Sequence, residues 1–159
     1  MPSNVDFEIS SNFLYSGSNY PRLLKTGSYN VEIKSTSSFY TNQVWNTGIT
    51  IAGVNSVVKK KGTVLSVTVG SITKSITYDT TSVGTMYLFG ETLSNNGGAV
   101  TFYTMKIYTQ GSTNLLFDLI PIERFSDGVL GLYDKVNKKF YINSGSGTFT
   151  AGTRTGVKI

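Results

Sequence analysis

The sequence of 159 residues contains no cysteine and no histidine. Without cysteine there is no disulfide framework and no thiolate metal site. Without histidine the commonest general base and the commonest zinc ligand are missing, and every catalytic triad built on histidine is excluded. The chain therefore has few of the side chains on which enzyme chemistry usually depends.

Charged residues are also scarce, at 14% of the chain against about 25% in an average globular protein. The formal net charge is +5, from 14 basic and 9 acidic side chains. The basic residues are scattered, and the run Lys59-Lys60-Lys61 is predicted to be a solvated loop or strand edge. A nucleic-acid-binding surface would concentrate basic and aromatic residues on one face, so we expect no nucleic-acid partner.

Long apolar runs are absent as well. No stretch approaches the ~20 apolar residues of a membrane-spanning helix, so no membrane insertion is expected. The first residues, MPSNVDFEISSNF, lack the basic and apolar regions of a secretory signal peptide. If the protein acts outside a cell, we expect it to reach its place by another route, such as lysis of a host cell or assembly into a particle.

The residues that are present indicate an all-β chain. Apolar and polar residues alternate over several segments, and glycine-containing turns separate them. The longest candidate strand is predicted to have Val100 and Phe102 on one face and Met105 and Ile107 on the other. No segment has a convincing helical period. Many short strands separated by turns predict a sandwich or barrel.

Two details of these strands can be predicted from glycine and proline. The strand Leu115–Ile120 is expected to stop at Pro121, which has no N–H for a sheet ladder. The pair Gly70-Ser71 is compatible with a tight type II′ hairpin.

The segment GVLGLYDKVNKKFYINSGSGTFTAG, residues 128–152, is predicted to be a hairpin that closes a sheet. In the polar turn, Asn137 can take a left-handed conformation. In the second strand Phe140 and Ile142 fall on one face, and Phe149 is expected to insert afterwards as a plug.

This segment follows KIY at 106–108 and DLIP at 118–121, and YLFG stands earlier at 87–90. Together these motifs resemble the C-terminal end of concanavalin A-like (laminin-G-like) jelly-roll domains. Such domains recur in bacteriophage tail, fibre and other virion proteins and in cell-surface proteins of gut bacteria. Their last motif is G-(L/M)-Y-D-x-V-N-x-K-F-Y-x-N-x-G-x-G-x-F-x-A-G. The matching positions are Gly131, Leu132, Tyr133, Asp134, Val136, Asn137, Lys139, Phe140, Tyr141, Asn143, Gly145, Gly147, Phe149, Ala151 and Gly152.

The resemblance spans about residues 86–152. It implies that residues 1–159 form a single jelly-roll domain, a β-sandwich of two antiparallel sheets. Because the shared motif consists of packing and turn residues, the resemblance implies binding or structure rather than chemistry.

Acidic residues give little support to an enzyme. Glycoside hydrolases of this architecture need two carboxylates facing one cleft. Asp6 and Glu8 are the nearest such pair, and two solvated acids on an edge strand are the simpler interpretation. We predict no enzymatic activity and no cofactor. A structural calcium ion is compatible with the architecture, but Asp127 and Asp134 are isolated acids that would bind it weakly and are more simply turn residues.

Aromatic and amide residues suggest a carbohydrate site instead. Sugars are held by exposed aromatic faces with a few amide and hydroxyl groups. Tyr40 and Trp45, with Asn42 between them in sequence, predict a stacking platform, and Asn95 and Asn96 are predicted to add polar contacts from a loop. The alternative for Trp45, the one tryptophan, is a place in the core of the sandwich.

Two functions stay open at this point. The first is a binding module of a phage tail, fibre or head decoration that recognises carbohydrate on a bacterial surface. The second is a structural or adaptor virion protein that contacts other virion proteins and has no glycan ligand. The low charge and the 10 tyrosines suit broad protein contacts, including those of a homo-oligomer.

Overall fold

The computed structural model describes residues 5–14, 22–25, 30–35, 38–41, 44–47, 49–51, 53–77, 87–88, 99–144 and 148–152. In chain order the strands of these ranges are β1 (Val5–Leu14), β2 (Arg22–Lys25), β3 (Asn30–Ser35), β4 (Ser38–Thr41), β5 (Val44–Thr47), β6 (Asn55–Lys61), β7 (Val64–Val69), β8 (Ile72–Thr77), β9 (Tyr87–Leu88), β10 (Ala99–Thr109), β11 (Leu115–Glu123), β12 (Leu130–Asp134) and β13 (Lys139–Tyr141). Over the same ranges, no helix is long and apolar enough to cross a membrane. The all-β prediction is confirmed for the described residues.

The strands pair in two sheets. The larger sheet has eight strands in the order β13-β12-β11-β10-β1-β6-β7-β8, and the smaller has five in the order β5-β4-β3-β2-β9. All the registered pairs are antiparallel, which confirms that part of the prediction. β1 pairs with β10 on one side and with β6 on the other, so it lies inside the larger sheet.

One face of the larger sheet, called here the inner face, is apolar and buried. Along β1, every second residue (Val5, Phe7 and Ile9) is buried. Successive residues of a strand point to opposite faces, so this alternation puts the apolar residues of β1 on one side. The neighbouring strands add Val58, Leu65, Val67, Met105, Ile107 and Leu119 to the same core.

The pairing of β1 with β10 is interrupted by a β-bulge. Ser10 is opposite Thr104, whereas the next residue, Ser11, is opposite Phe102. Tyr103 is therefore an extra residue of β10 that has no register partner in β1. A bulge of this kind locally disrupts the ladder and re-aims a side chain.

The bulge changes which residues of β10 face the core. Val100 and Phe102 pack against the core before the bulge, and Met105 and Ile107 are buried in it afterwards. The prediction that these two pairs lie on opposite faces is wrong, because the extra residue Tyr103 brings both pairs to the inner face.

The opposite, outer face of the larger sheet carries charges in register. Glu8 is opposite Lys59 on β6 and Lys106 on β10, and Lys106 is opposite Asp118 on β11. Glu8 Oε2 lies 3.0 Å from Lys59 Nζ, and Asp118 Oδ2 lies 2.7 Å from Lys135 Nζ. The sign alternates from strand to strand, which favours this register because like charges directly opposite each other are destabilising.

The run Lys59-Lys60-Lys61 lies in β6, an interior strand of the larger sheet. Lys59 and Lys61 are exposed, but Lys60 is buried. The prediction of a solvated loop or edge is wrong for Lys60, because alternation along β6 puts it on the inner face.

β11 runs through Pro121 rather than stopping before it. Pro121 is opposite Leu132 of β12, while the registered pairs of β11 with β10 end at Leu119. Beyond Leu119 the strand has a registered partner on one side only, where a missing N–H is tolerated.

β12 and β13 form the predicted hairpin, with Leu132 opposite Tyr141. The left-handed residue of its turn is Lys138, with a φ of 56°, and not Asn137. Asn137 instead uses its side chain, whose amide donates a hydrogen bond of 2.9 Å to the carbonyl oxygen of Leu116.

The aromatic side chains of this region are sheltered. Phe140 and Phe149 are half-buried, and Tyr141 packs against the core. Ile142 follows the last residue of β13 and is 60% exposed, so it does not share the environment of Phe140. Gly131 lies so close to the Phe140 ring and the Tyr141 carbonyl oxygen that a β-carbon would overlap both.

The turn Gly70-Ser71 joins β7 to β8, with Val69 opposite Ile72. Gly70 has a φ of 57°, and Ser71 does not have a positive φ. A positive φ at the first turn residue alone is the type II′ pattern, which confirms the prediction.

Candidate functional site

The predicted carbohydrate site includes the β4–β5 hairpin of the smaller sheet. Tyr40 in β4 is directly opposite Trp45 in β5, and β5 is an edge strand of that sheet. The backbone therefore brings together the two aromatic positions of the predicted site. Asn42, Asn95 and Asn96 lie outside the described residues. The alternative that Trp45 faces the core stays a prediction.

Asp6 is held between two turns of the larger sheet. Its Oδ1 accepts a hydrogen bond of 2.7 Å from the N–H of Gly62, and its Oδ2 accepts one of 3.0 Å from the N–H of Gly111. Gly62 belongs to the β6–β7 turn and Gly111 to the β10–β11 turn. One buried carboxylate thus ties together the turns on either side of β1. The prediction of a solvated acid on an edge strand is wrong for Asp6, because β1 is an interior strand.

Lys60 completes this cluster, called here the clamp (Asp6, Lys60, Gly62 and Gly111). Lys60 Nζ donates a hydrogen bond of 2.6 Å to the Val5 carbonyl oxygen and lies 3.7 Å from Asp6 Oδ1. Burial lowers the pKa of Lys60, and the attraction of Asp6 offsets only part of that effect. The amine is directed at a backbone oxygen and a carboxylate, which is a structural use of a buried lysine.

Asp134 organises the turn between β12 and β13. Its Oδ1 accepts hydrogen bonds from the N–H groups of Asp118 (3.1 Å) and Val136 (3.0 Å), and its Oδ2 accepts one from the Asn137 amide. Burial alone would raise the pKa of Asp134, but these hydrogen bonds to the carboxylate outweigh it and lower the pKa. Asp134 is therefore a turn residue, as the sequence predicts.

The tip of the β11–β12 hairpin is braced by side chains. The Arg124 guanidinium binds the Asp127 carboxylate through two N–H groups, at 2.9 and 2.6 Å, and lies 4.8 Å from the centre of the Phe140 ring. The hydrogen bond from Arg124 lowers the pKa of Asp127, which also accepts the N–H of Val129. Phe125, on this braced tip, is 78% exposed.

An open groove of about 460 Å³ lies beside this tip. Its walls include Val129, Leu130, Ile142, Asn143, Thr148 and Phe149. The registered pairs of β12 with β13 end at Leu132 and Tyr141, and the groove lies beyond that point. Its lining is mostly apolar, with one amide and one hydroxyl side chain.

A group of uncharged polar residues at the bulge was not predicted from the sequence. Tyr103 Oη donates a hydrogen bond of 3.0 Å to Asn55 Oδ1, and Asn12 Nδ2 lies 3.4 Å from the same oxygen. These three residues are called here the Tyr103 patch. The Tyr103 side chain stays 38% exposed although its hydroxyl is bonded.

Within the described ranges, no three acidic side chains come together where they could hold a metal ion. Asp127 and Asp134, the two acids considered for calcium, serve the turns described above.

No protein-family model, no curated protein and no solved structure matches this chain.

Proposed function

We propose that this chain is a non-catalytic binding module of a phage virion, with a two-sheet jelly-roll sandwich fold, and that it recognises carbohydrate on the host surface. The observation that carries the carbohydrate part is the register that sets Tyr40 opposite Trp45.

The sandwich part is supported by the need to cover the inner face of the larger sheet, since large apolar patches are rarely left in water. Leu88 of β9, in the smaller sheet, packs against this core. Ile49 and Ile51, which follow β5, are buried in it. These contacts favour an arrangement in which the smaller sheet covers the larger one.

The non-catalytic part is supported by the use that the fold makes of its acids. A hydrolase would keep a pair of carboxylates available in one cleft. Five acids of the described part of the chain are engaged in ion pairs or turns: Asp6 in the clamp, Glu8 with Lys59, Asp118 with Lys135, Asp127 with Arg124, and Asp134 in its turn.

The carbohydrate part rests on residue type and position. Opposed residues of two antiparallel strands lie on the same face of a sheet. Two aromatic residues on one face of an edge hairpin offer a flat surface for the apolar side of a sugar ring. Asn42, Asn95 and Asn96 are proposed to bind the hydroxyl groups.

The setting is proposed from the resemblance of residues 86–152 to jelly-roll domains of phage virion proteins. Partners in that setting are carbohydrate on a bacterial surface, other virion proteins and other copies of this chain. The proposed location is the virion or the extracellular space.

A glycan array of bacterial surface oligosaccharides tests this proposal. Wild-type protein should retain defined oligosaccharides, and Trp45→Ala should reduce that retention at least about tenfold, as expected for an aromatic residue at the centre of a site. Phe125→Ala, which removes an exposed ring from another hairpin, should leave retention unchanged. Retention of no oligosaccharide by the wild type contradicts the proposal.

The structural or adaptor function is favoured by a different observation, the exposed Phe125 on its braced tip beside an apolar groove. Exposed aromatic residues held in place are typical of protein interfaces, because little ordering accompanies binding. In that case light scattering should detect oligomers that Phe125→Ser dissociates, and the array should retain nothing.

A further inference from the structure

The strongest unassigned feature of the larger sheet is the Tyr103 patch on its outer face. The bulge frees Tyr103 from the alternation of β10, so its side chain is not committed to the core. Because β1 lies between β10 and β6, the hydrogen bond from Tyr103 to Asn55 on β6 requires the phenol to cross the outer face of β1. A ring in this position has one side toward the sheet and the other toward solvent.

Hydrogen bonds hold the ring in place. Asn55 Oδ1 accepts from the Tyr103 hydroxyl and from the Asn12 amide. Asn12 Oδ1 is buried and has no hydrogen-bond partner among the described residues. That oxygen is closed to a ligand, so the patch offers the aromatic ring, tied through its hydroxyl, and the exposed side chain of Asn55.

The surroundings of the patch are uncharged and mostly polar. Ser10, Thr101 and Thr104 occupy outward-facing positions beside it by the register of β1 with β10, and the apolar Val57 lies opposite Ser10 on β6. The nearest charges along these strands belong to the row that contains Glu8 and Lys106. Aromatic, amide and hydroxyl groups without charge match a neutral sugar, whose C–H face stacks on a ring while its hydroxyls bond to amides.

We infer that the Tyr103 patch is a second carbohydrate subsite, which takes a neutral hexopyranose unit. Tyr103 is the stacking platform, and the amide of the exposed Asn55 binds a hydroxyl group. This inference rests on the proposed carbohydrate function and adds a site in the other sheet, separate from Tyr40 and Trp45 in its position along the chain and in its strands.

The test applies the same array of bacterial surface oligosaccharides to a set of variants, followed by calorimetric titration with each oligosaccharide retained. Tyr103→Ala should weaken binding about tenfold or more. Tyr103→Phe keeps the ring and loses the bond to Asn55, so it should weaken binding only about threefold, in line with one neutral hydrogen bond. Ile72→Ala, which shortens an exposed side chain on β8 of the same sheet, is the control with an intact patch.

Three outcomes are distinguished. Loss with Tyr103→Ala, and retention with Ile72→Ala, supports the inference. Full retention by Tyr103→Ala together with loss in Trp45→Ala overturns the inference and leaves the proposed function standing. Retention of no oligosaccharide by wild-type protein overturns both.

Discussion

The two ends of β1 use polar side chains in opposite ways. At the first end, the clamp removes the charges of Asp6 and Lys60 from water and directs them to backbone groups. At the other end, beyond the bulge, the Tyr103 patch leaves an aromatic ring in solvent beside two uncharged amides. The comparison indicates that the charged, buried end serves stability, and the uncharged, exposed end is the one for which we propose binding.

The physical basis of this division is desolvation. A buried charge that loses its partner is strongly destabilising, so the clamp tolerates little change. A neutral, partly exposed side chain can be removed at small cost, so Tyr103 is available for a role other than stability.

Deletion of a single residue from β10 tests the bulge and is expected to give the largest loss of stability. Deletion of Lys106 is compared with deletion of Tyr103. Without Lys106, Met105 and Ile107 become adjacent and cannot both face the core, which should cost about 4 kcal/mol or more and unfold the domain. Without Tyr103, regular alternation places Phe102 and Met105 on the inner face. The free energy of unfolding should then fall by less than about 2 kcal/mol. Urea unfolding followed by circular dichroism measures both, and equal losses would argue against a bulge at Tyr103.

Substitution of Asp6 tests the clamp. Asp6→Ala leaves Lys60 buried without its carboxylate, and the free energy of unfolding should fall by about 3–5 kcal/mol. Glu8→Ala is the matched control on the same strand and face. Its ion pair with Lys59 is solvated, with side chains 38% and 53% exposed, so the loss should be about 0–1 kcal/mol. A similar loss in both variants would contradict the division between buried and exposed charges.

The pH dependence of stability gives a smaller effect from the same cluster. Because burial lowers the pKa of Lys60 in the folded state, the unfolded chain binds more protons between that pKa and the ordinary value of 10.5. Wild-type stability should therefore gain from Lys60 as pH rises through this window. Lys60→Met should lack this contribution, so its unfolding free energy should rise less steeply with pH. A steeper rise of the unfolding free energy in Lys60→Met would contradict the lowered pKa of Lys60.

Much of the fold can be predicted from the sequence, because alternation and turn residues are local signals. The hairpin of β12 and β13 and the Gly70-Ser71 turn follow from short segments alone. The bulge can also be recognised in the sequence of β10. Val100 and Phe102 are two positions apart, as are Met105 and Ile107, but Phe102 and Met105 are three positions apart. This change of spacing predicts one inserted residue, which a single alternation over the whole strand does not include.

The clamp could not be predicted in this way. Lys60 meets Val5 and Asp6, which precede it by more than fifty residues, so no local pattern distinguishes it from its exposed neighbours Lys59 and Lys61. The Tyr103 patch has the same origin, because Asn12, Asn55 and Tyr103 come from three strands that only the sheet order brings together.

We propose that one end of β1 stabilises the fold and that the other end binds carbohydrate. The most direct measurement determines the unfolding free energy and the oligosaccharide retention of two variants, Asp6→Ala and Tyr103→Ala, at a temperature where both are folded. We expect Asp6→Ala to lose stability and keep retention. We expect Tyr103→Ala to lose the part of the retention that depends on the Tyr103 patch and to keep its stability to within about 1 kcal/mol of wild type. If Tyr103→Ala keeps full retention, or if Asp6→Ala is as stable as wild type, the division between the two ends is contradicted.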